Sequence, residues 1–124
     1  MTKVLIVEDN EMNRDMLTRR LERRGYVVIS AIDGPEGIAT ARTQSPDIIL
    51  MDVALGAMDG WEATIILQAD PHTRSIPVIA LTAHALESDR RRSIEVGCVD
   101  FETKPVALSD LIEKIEKHLV KADA

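Results

Sequence analysis

Four short stretches carry side chains whose types and spacing could do chemistry: Glu8-Asp9, Asp52, Thr82 and Lys104-Pro105. Glu8, Asp9 and Asp52 are three hard oxygen donors with no His or Cys among them. Two like charges about 4 Å apart repel by roughly 4 kcal/mol at an effective dielectric near 20. Brought together, such a cluster must bind protons, a Lys or Arg, or a metal, and an all-oxygen set suits Mg²⁺. The Thr82 hydroxyl is a donor for an oxyanion, and Lys104 is a lone cation that could face the acids. Converging carboxylates, hydroxyl and ammonium make a phosphoryl-transfer site. Each piece also has a plainer reading. Glu8 and Asp9 could stabilise the start of a helix capped by Asn10, Thr82 could be an ordinary strand residue, and Lys104 could be solvated. The Lys104-Pro105 bond could be cis, which would fix the angle of the preceding side chain.

Strand ends are what must position these groups. Ile48-Ile49-Leu50-Met51 is a continuous apolar run between Asp47 and Asp52, the pattern of a central parallel strand buried on both faces. Val4–Val7, Val27–Ile29 and Val78–Leu81 are similar short β-branched runs, and a less apolar fifth strand is expected over Val99–Thr103. Amphipathic stretches alternate with them. Met12, Met16, Leu17 and Leu21 give a helical face after Asn10, with Gly25 as the stop, and Pro35 opens a second helix through Ala41. Further helices are expected over Gly60–Gln68 and Glu87–Val96, the latter ended by Gly97. The cleanest 3.6-residue period runs through Leu108, Leu111, Ile112, Ile115 and Leu119. Five strand–helix alternations predict an α/β, doubly wound, flavodoxin-like fold: a five-stranded parallel sheet of order 2-1-3-4-5 with five helices on both faces. In such a sheet the carboxyl ends of the strands line the ligand crevice, and the first and third strands are neighbours, so Asp9 is brought toward Asp52.

A chain of 124 residues, 45% hydrophobic, reads as one domain, 1–124. No apolar run approaches the roughly 20 residues of a membrane span, and Glu8 and Asp9 interrupt the first apolar run, so no secretory pattern is present. The single Cys98 excludes an internal disulfide and fits a cytoplasmic protein. A net charge of −6 argues against nonspecific nucleic-acid binding.

The motifs Val7-Glu8-Asp9-Asn10, Leu50-Met51-Asp52, Met58-Asp59-Gly60, Leu81-Thr82-Ala83 and Thr103-Lys104-Pro105 stand in the order and spacing of a known family. The chain resembles, over essentially its whole length, the receiver domain of two-component response regulators. The resemblance implies that Asp52 is the phosphoacceptor, that Asp9, Asp52 and the backbone carbonyl of Ala54 ligate Mg²⁺, and that Glu8 acts through a bound water. It implies that Lys104 pairs with the carboxylate and then the phosphoryl group, and that Thr82 moves to bond a phosphoryl oxygen. Phe101 holds the place of the family's switch aromatic, with an ordinary core ring as the alternative. Ala54 and His84 hold the two variable positions that shape water access to the acyl phosphate, so replacing His84 with Ala is expected to change the dephosphorylation rate. Gly56 stands where the family usually has Pro, and it gives the loop after Asp52 more freedom.

The implied protein is a phosphoacceptor rather than a turnover enzyme, loaded by a histidine kinase or phosphotransfer protein docking near Asn13, Met16 and Leu17. Output is expected from the fourth helix, fifth strand and fifth helix, where Arg90, Arg91 and Arg92 form either a solvated face or a patch for a downstream protein. Trp61 reads as a partly buried packing residue. Only Lys121-Ala122-Asp123-Ala124 follows the fifth helix, so no output domain or DNA target is expected, and without a long apolar run no membrane partner is expected either. The rivals are a phosphorylation-independent scaffold, an aspartate-nucleophile phosphatase of the haloacid-dehalogenase kind, and a nucleotide or flavin binder. The phosphatase wants an Asp where Ala54 stands, and the binder wants a glycine-rich turn where Asp9-Asn10-Glu11 stands.

Overall fold

The computed structural model describes residues 1–83 and 86–123, with side chains described up to Leu119. The elements are β1 (Lys3–Val7), α1 (Glu11–Arg23), β2 (Val27–Ala31), α2 (Gly34–Gln44), β3 (Ile48–Asp52), α3 (Gly60–Ala69), β4 (Val78–Thr82), α4 (Glu87–Glu95), β5 (Asp100–Thr103) and α5 (Leu108–Asp123). All strand pairs are parallel and the order is β2-β1-β3-β4-β5, as the alternation predicts.

Strand residues alternate between two cores. Leu5, Val7, Ile49, Met51, Val78 and Ala80 face one side, where Ala41 of α2 and Ala63 and Leu67 of α3 cover them. Val4, Ile6, Ile48, Leu50, Ile79 and Leu81 face the other, against Leu17 and Leu21 of α1 and Leu111, Ile112 and Ile115 of α5. The side-chain period of two divides each apolar run between the faces, and this is why the three central strands show no polar alternation. Edge strand β5 buries only Glu102 and leaves its other three residues partly exposed, matching its weaker apolar signal. Burial pushes the Cys98 thiol up to about 11, so it packs as a neutral group.

Local chemistry sets the helix ends. The Asn10 side chain accepts from the Asn13 N–H at 2.9 Å and opens α1, as expected. α2 begins at Gly34, one residue before Pro35, because Asp33 caps it by accepting from the Glu36 N–H. Gly25 and Gly97 follow their helices at φ of 91° and 112°, a region that favours glycine. β5 starts at Asp100 rather than Val99, and α4 ends at Glu95 with Val96 as its cap, differences of one residue at frayed ends.

Candidate functional site

β1 and β3 run side by side with Val7 opposite Met51, so Glu8 and Asp9 emerge beside Asp52 at the carboxyl edge of the sheet. The order of strands reverses here, since α1 and α3 leave on opposite faces, and the divergence opens the crevice. One carboxylate oxygen from each of Glu8, Asp9 and Asp52 lies within 4.8 Å of the others. Their environments differ sharply. Glu8 is 1% exposed and Asp52 2% exposed, while Asp9 is open to solvent.

Lys104 closes the cluster from β5. Its Nζ lies 3.0 Å from Glu8 Oε2 and 3.0 Å from Asp52 Oδ2. Its backbone N–H donates to the Thr82 carbonyl at 2.7 Å, which ties the ends of β4 and β5 together. The Lys104-Pro105 bond is cis. Burial alone would lower the Lys104 pKa, but hydrogen bonds and charge from Glu8 and Asp52 outweigh it and hold the ammonium above its ordinary range. Burial pushes the Glu8 carboxyl up, Asp52 pushes the same way, and Lys104 only partly offsets them. The Asp52 carboxylate points one oxygen at Lys104 and accepts from the Ala54 N–H with the other, at 3.0 Å. Thr82, at the end of β4, is 1% exposed.

The carboxylates, the ammonium and the Thr82 strand end therefore meet at one edge, with Asp9 and Asp52 on the same rim. His84 lies outside the described residues. Phe101 is half-buried, packs against the α2–α3 core, and carries the Arg90 guanidinium 5.7 Å and the Lys114 ammonium 5.8 Å from its ring centre. It is a ring at the rim of the core with cations beside it, so its place suits either expectation. Arg90, Arg91 and Arg92 are all exposed on α4. Trp61 packs as expected, and its Nε1 donates to Ser93 Oγ at 3.0 Å, a tie between α3 and α4.

Sequence reasoning missed how α1 holds residue 8. Asn13 Nδ2 donates to Glu8 Oε1 at 3.2 Å, and Arg14 Nη1 donates to the Glu8 carbonyl at 2.9 Å. No spacing rule signals it, because Glu8 precedes the helix and Asn13 lies five residues on, so the meeting depends on how α1 packs against β1. Gly60 was noticed only as a motif residue and as the start of the third helix. A Cβ there would collide with the Asp52 carbonyl oxygen and come within 2.8 Å of Val53 Cα, so its absence lets α3 start directly beneath the site.

The chain belongs to the response regulator receiver domain family, whose model matches residues 4–116, and so to two-component signalling. It is 42% identical over 120 residues to the polar-differentiation response regulator DivK of Brucella ovis, a match covering 96% of this chain and 98% of that protein. Among solved structures it is similar to the receiver domain of the sensor histidine kinase PA1611 from Pseudomonas aeruginosa, which has a magnesium ion coordinated in its active-site cleft. That match has a TM-score of 0.88 and 35% identity, and covers 95% of this chain and 97% of the other. A CheY-like response regulator receiver domain protein from Methanospirillum hungatei superposes with a TM-score of 0.91 at 28% identity, over 99% and 97% of the two chains. Among the described residues no helix is long and apolar enough to cross a membrane.

Proposed function

We propose that this protein is a stand-alone receiver that accepts a phosphoryl group on Asp52 from a phosphohistidine of a histidine kinase or phosphotransfer protein, and signals by binding a partner or passing the group on. The observation that carries the reading is the Lys104 ammonium set 3.0 Å from Asp52 Oδ2, beside the Glu8 and Asp9 carboxylates. A relative spanned over nearly its whole length supports the stand-alone form.

In the proposed step an Asp52 carboxylate oxygen attacks phosphorus in line. The new O–P bond forms as the N–P bond to imidazole breaks, and the electron pair stays on the histidine nitrogen, which takes up a proton. Lys104 faces the oxygens that gain charge, and Thr82 offers its hydroxyl to one of them. Asp9, Asp52 and the Ala54 carbonyl would hold Mg²⁺, with Glu8 acting through a water. The all-oxygen donor set with two carboxylates buried and one open to solvent fits an ion that keeps several waters. When bound, the ion supplies positive charge against the transferring group. Phe101 would shift as Thr82 is drawn toward the phosphoryl group, and Ala54 and His84 would set the rate of hydrolysis. The groove of about 320 Å³ lined by Asn13, Met16, Leu17, Lys104, Pro105 and Val106 supports docking of the phosphodonor there. Arg90, Arg91 and Arg92 would meet a downstream protein.

Incubation with Mg²⁺ and acetyl phosphate, followed by intact-mass measurement, tests the reading. We expect a gain of one phosphoryl group that is lost in Asp52→Asn. No gain in the unsubstituted protein, or repeated turnover of phosphate esters, would overturn it.

A further inference from the structure

We infer that Asn13 is a positioning residue for phosphoryl transfer: by holding Glu8 it keeps Lys104 centred between Glu8 and Asp52. The inference rests on the functional reading above. Residue 8 is gripped at every polar group. Its N–H donates to the Ala31 carbonyl at 3.1 Å, its own carbonyl accepts from Arg14 Nη1 at 2.9 Å, and its carboxylate is shared between Asn13 Nδ2 and Lys104 Nζ. The backbone grips fix where the side chain starts. Among the described residues Asn13 and Lys104 donate to the carboxylate, and the neighbouring Asp52 carboxyl also acts on it.

That division matters because Lys104 serves two acids. Its Nζ is 3.3 Å from Glu8 Oε1, 3.0 Å from Glu8 Oε2 and 3.0 Å from Asp52 Oδ2. Glu8 is buried, so any oxygen that loses a donor must find another nearby. Without the Asn13 amide the side-chain donor left on the carboxylate, among the described residues, is the Lys104 ammonium, already within reach of both oxygens. The ammonium is then drawn toward Glu8 and away from Asp52, where the charge of the reaction develops. Asn13 is itself fixed for the task, because its backbone N–H is bonded to the Asn10 cap at 2.9 Å. The same side chain lines the groove that reaches Lys104 and Pro105, so it touches both the acid pair and the surface beside it.

The consequence is a split that general loosening of the site does not produce. Moving Lys104 off Asp52 weakens stabilisation of the transferring group but leaves the Asp52 carboxylate more available to a cation. The test compares Asn13→Ala and Asn13→Asp with the unsubstituted protein. Asn13→Asp keeps the shape, removes the donor and adds a like charge, and it serves if Asn13→Ala does not fold. At saturating Mg²⁺ we expect the rate constant for phosphorylation by acetyl phosphate to fall about tenfold or more in Asn13→Ala, the loss of one hydrogen bond to a buried charged acceptor. It should fall further in Asn13→Asp. Mg²⁺ affinity, measured by calorimetry without phosphodonor, should hold or increase. The ¹⁵N resonance of the Lys104 side chain, also read without phosphodonor, should move in both variants. Unchanged rates and an unmoved Lys104 resonance would overturn the role of Asn13, as would rate and Mg²⁺ affinity falling together. If the unsubstituted protein takes no phosphoryl group the functional reading fails instead, and the Lys104 resonance still decides whether Asn13 positions the ammonium.

Discussion

Replacing Lys104 with Met removes the ammonium while keeping most of the stem, and the structure sets the size of the effect. The side chain of Lys104 is 22% exposed and those of its partners are almost fully enclosed, so solvent screens the pairs only partly. With the carboxylate oxygens within 4.8 Å of one another, two charges at that separation repel by about 3.5 kcal/mol at an effective dielectric of about 20. Stability at pH 7 and low salt should therefore fall by about 2–4 kcal/mol, read as the shift of the urea midpoint at constant slope. The sign of the pH dependence follows from Glu8. Burial, then Asp52, hold its carboxyl above 4.5 even with Lys104 opposing them. A group raised on folding adds stability that is complete below its unfolded value and is lost as pH rises through the folded value. Deleting Lys104 removes the opposing influence, so the deficit should open above about pH 4.5 and close below it. Lys104 is itself raised above 10.5, so its own contribution persists through neutral pH and fades only as pH climbs through that raised value. Mg²⁺ should restore part of the loss by binding the folded state alone. Equal midpoints for the two proteins at pH 7, or a deficit undiminished at about pH 4, would refute the reasoning.

Gly60→Ala should cost about 3 kcal/mol or more, because the added Cβ meets backbone atoms of Asp52 and Val53 that cannot turn aside; an unchanged thermal midpoint would contradict this. Leu50→Ala, at a site with no exposed surface in the α1–α5 core, should cost about 2–5 kcal/mol in urea unfolding without altering the parallel sheet seen by circular dichroism. Burial would raise the Asp100 carboxyl, but hydrogen bonds from His118 and the Phe101 N–H, aided by Lys114, hold it below 3.8. A lowered carboxyl adds stability above its unfolded value and loses it as pH falls through the folded one, so Asp100→Asn should flatten the loss of stability on acidification below about pH 4. An acid limb of unchanged slope would count against that pairing.

Much of this protein is written locally. The two-faced apolar runs, the Asn10 cap and the glycines after α1 and α4 depend on neighbours within one turn or one strand, so composition and period were enough to order the sheet. Asp52 and Thr82 were legible for the same reason, as polar residues at the ends of fully apolar strands. Side chains that meet across the chain were not. Glu8 and Lys104 are 96 positions apart, and sequence treated Glu8 as the more distant partner of the site. Folding made it the most enclosed of the three acids and left Asp9, its neighbour, in solvent, because successive residues leaving a strand point to opposite sides. The cations beside Phe101, the Trp61–Ser93 bond and the amide of Asn13 on Glu8 arise likewise from helix placement, which fixes distances that no spacing along the chain encodes. The sequence determined which groups arrive at the carboxyl edge; the packing of α1 against β1 and the pairing of β5 with β4 decided which of them touch, and electrostatics in a buried crevice depends on that contact.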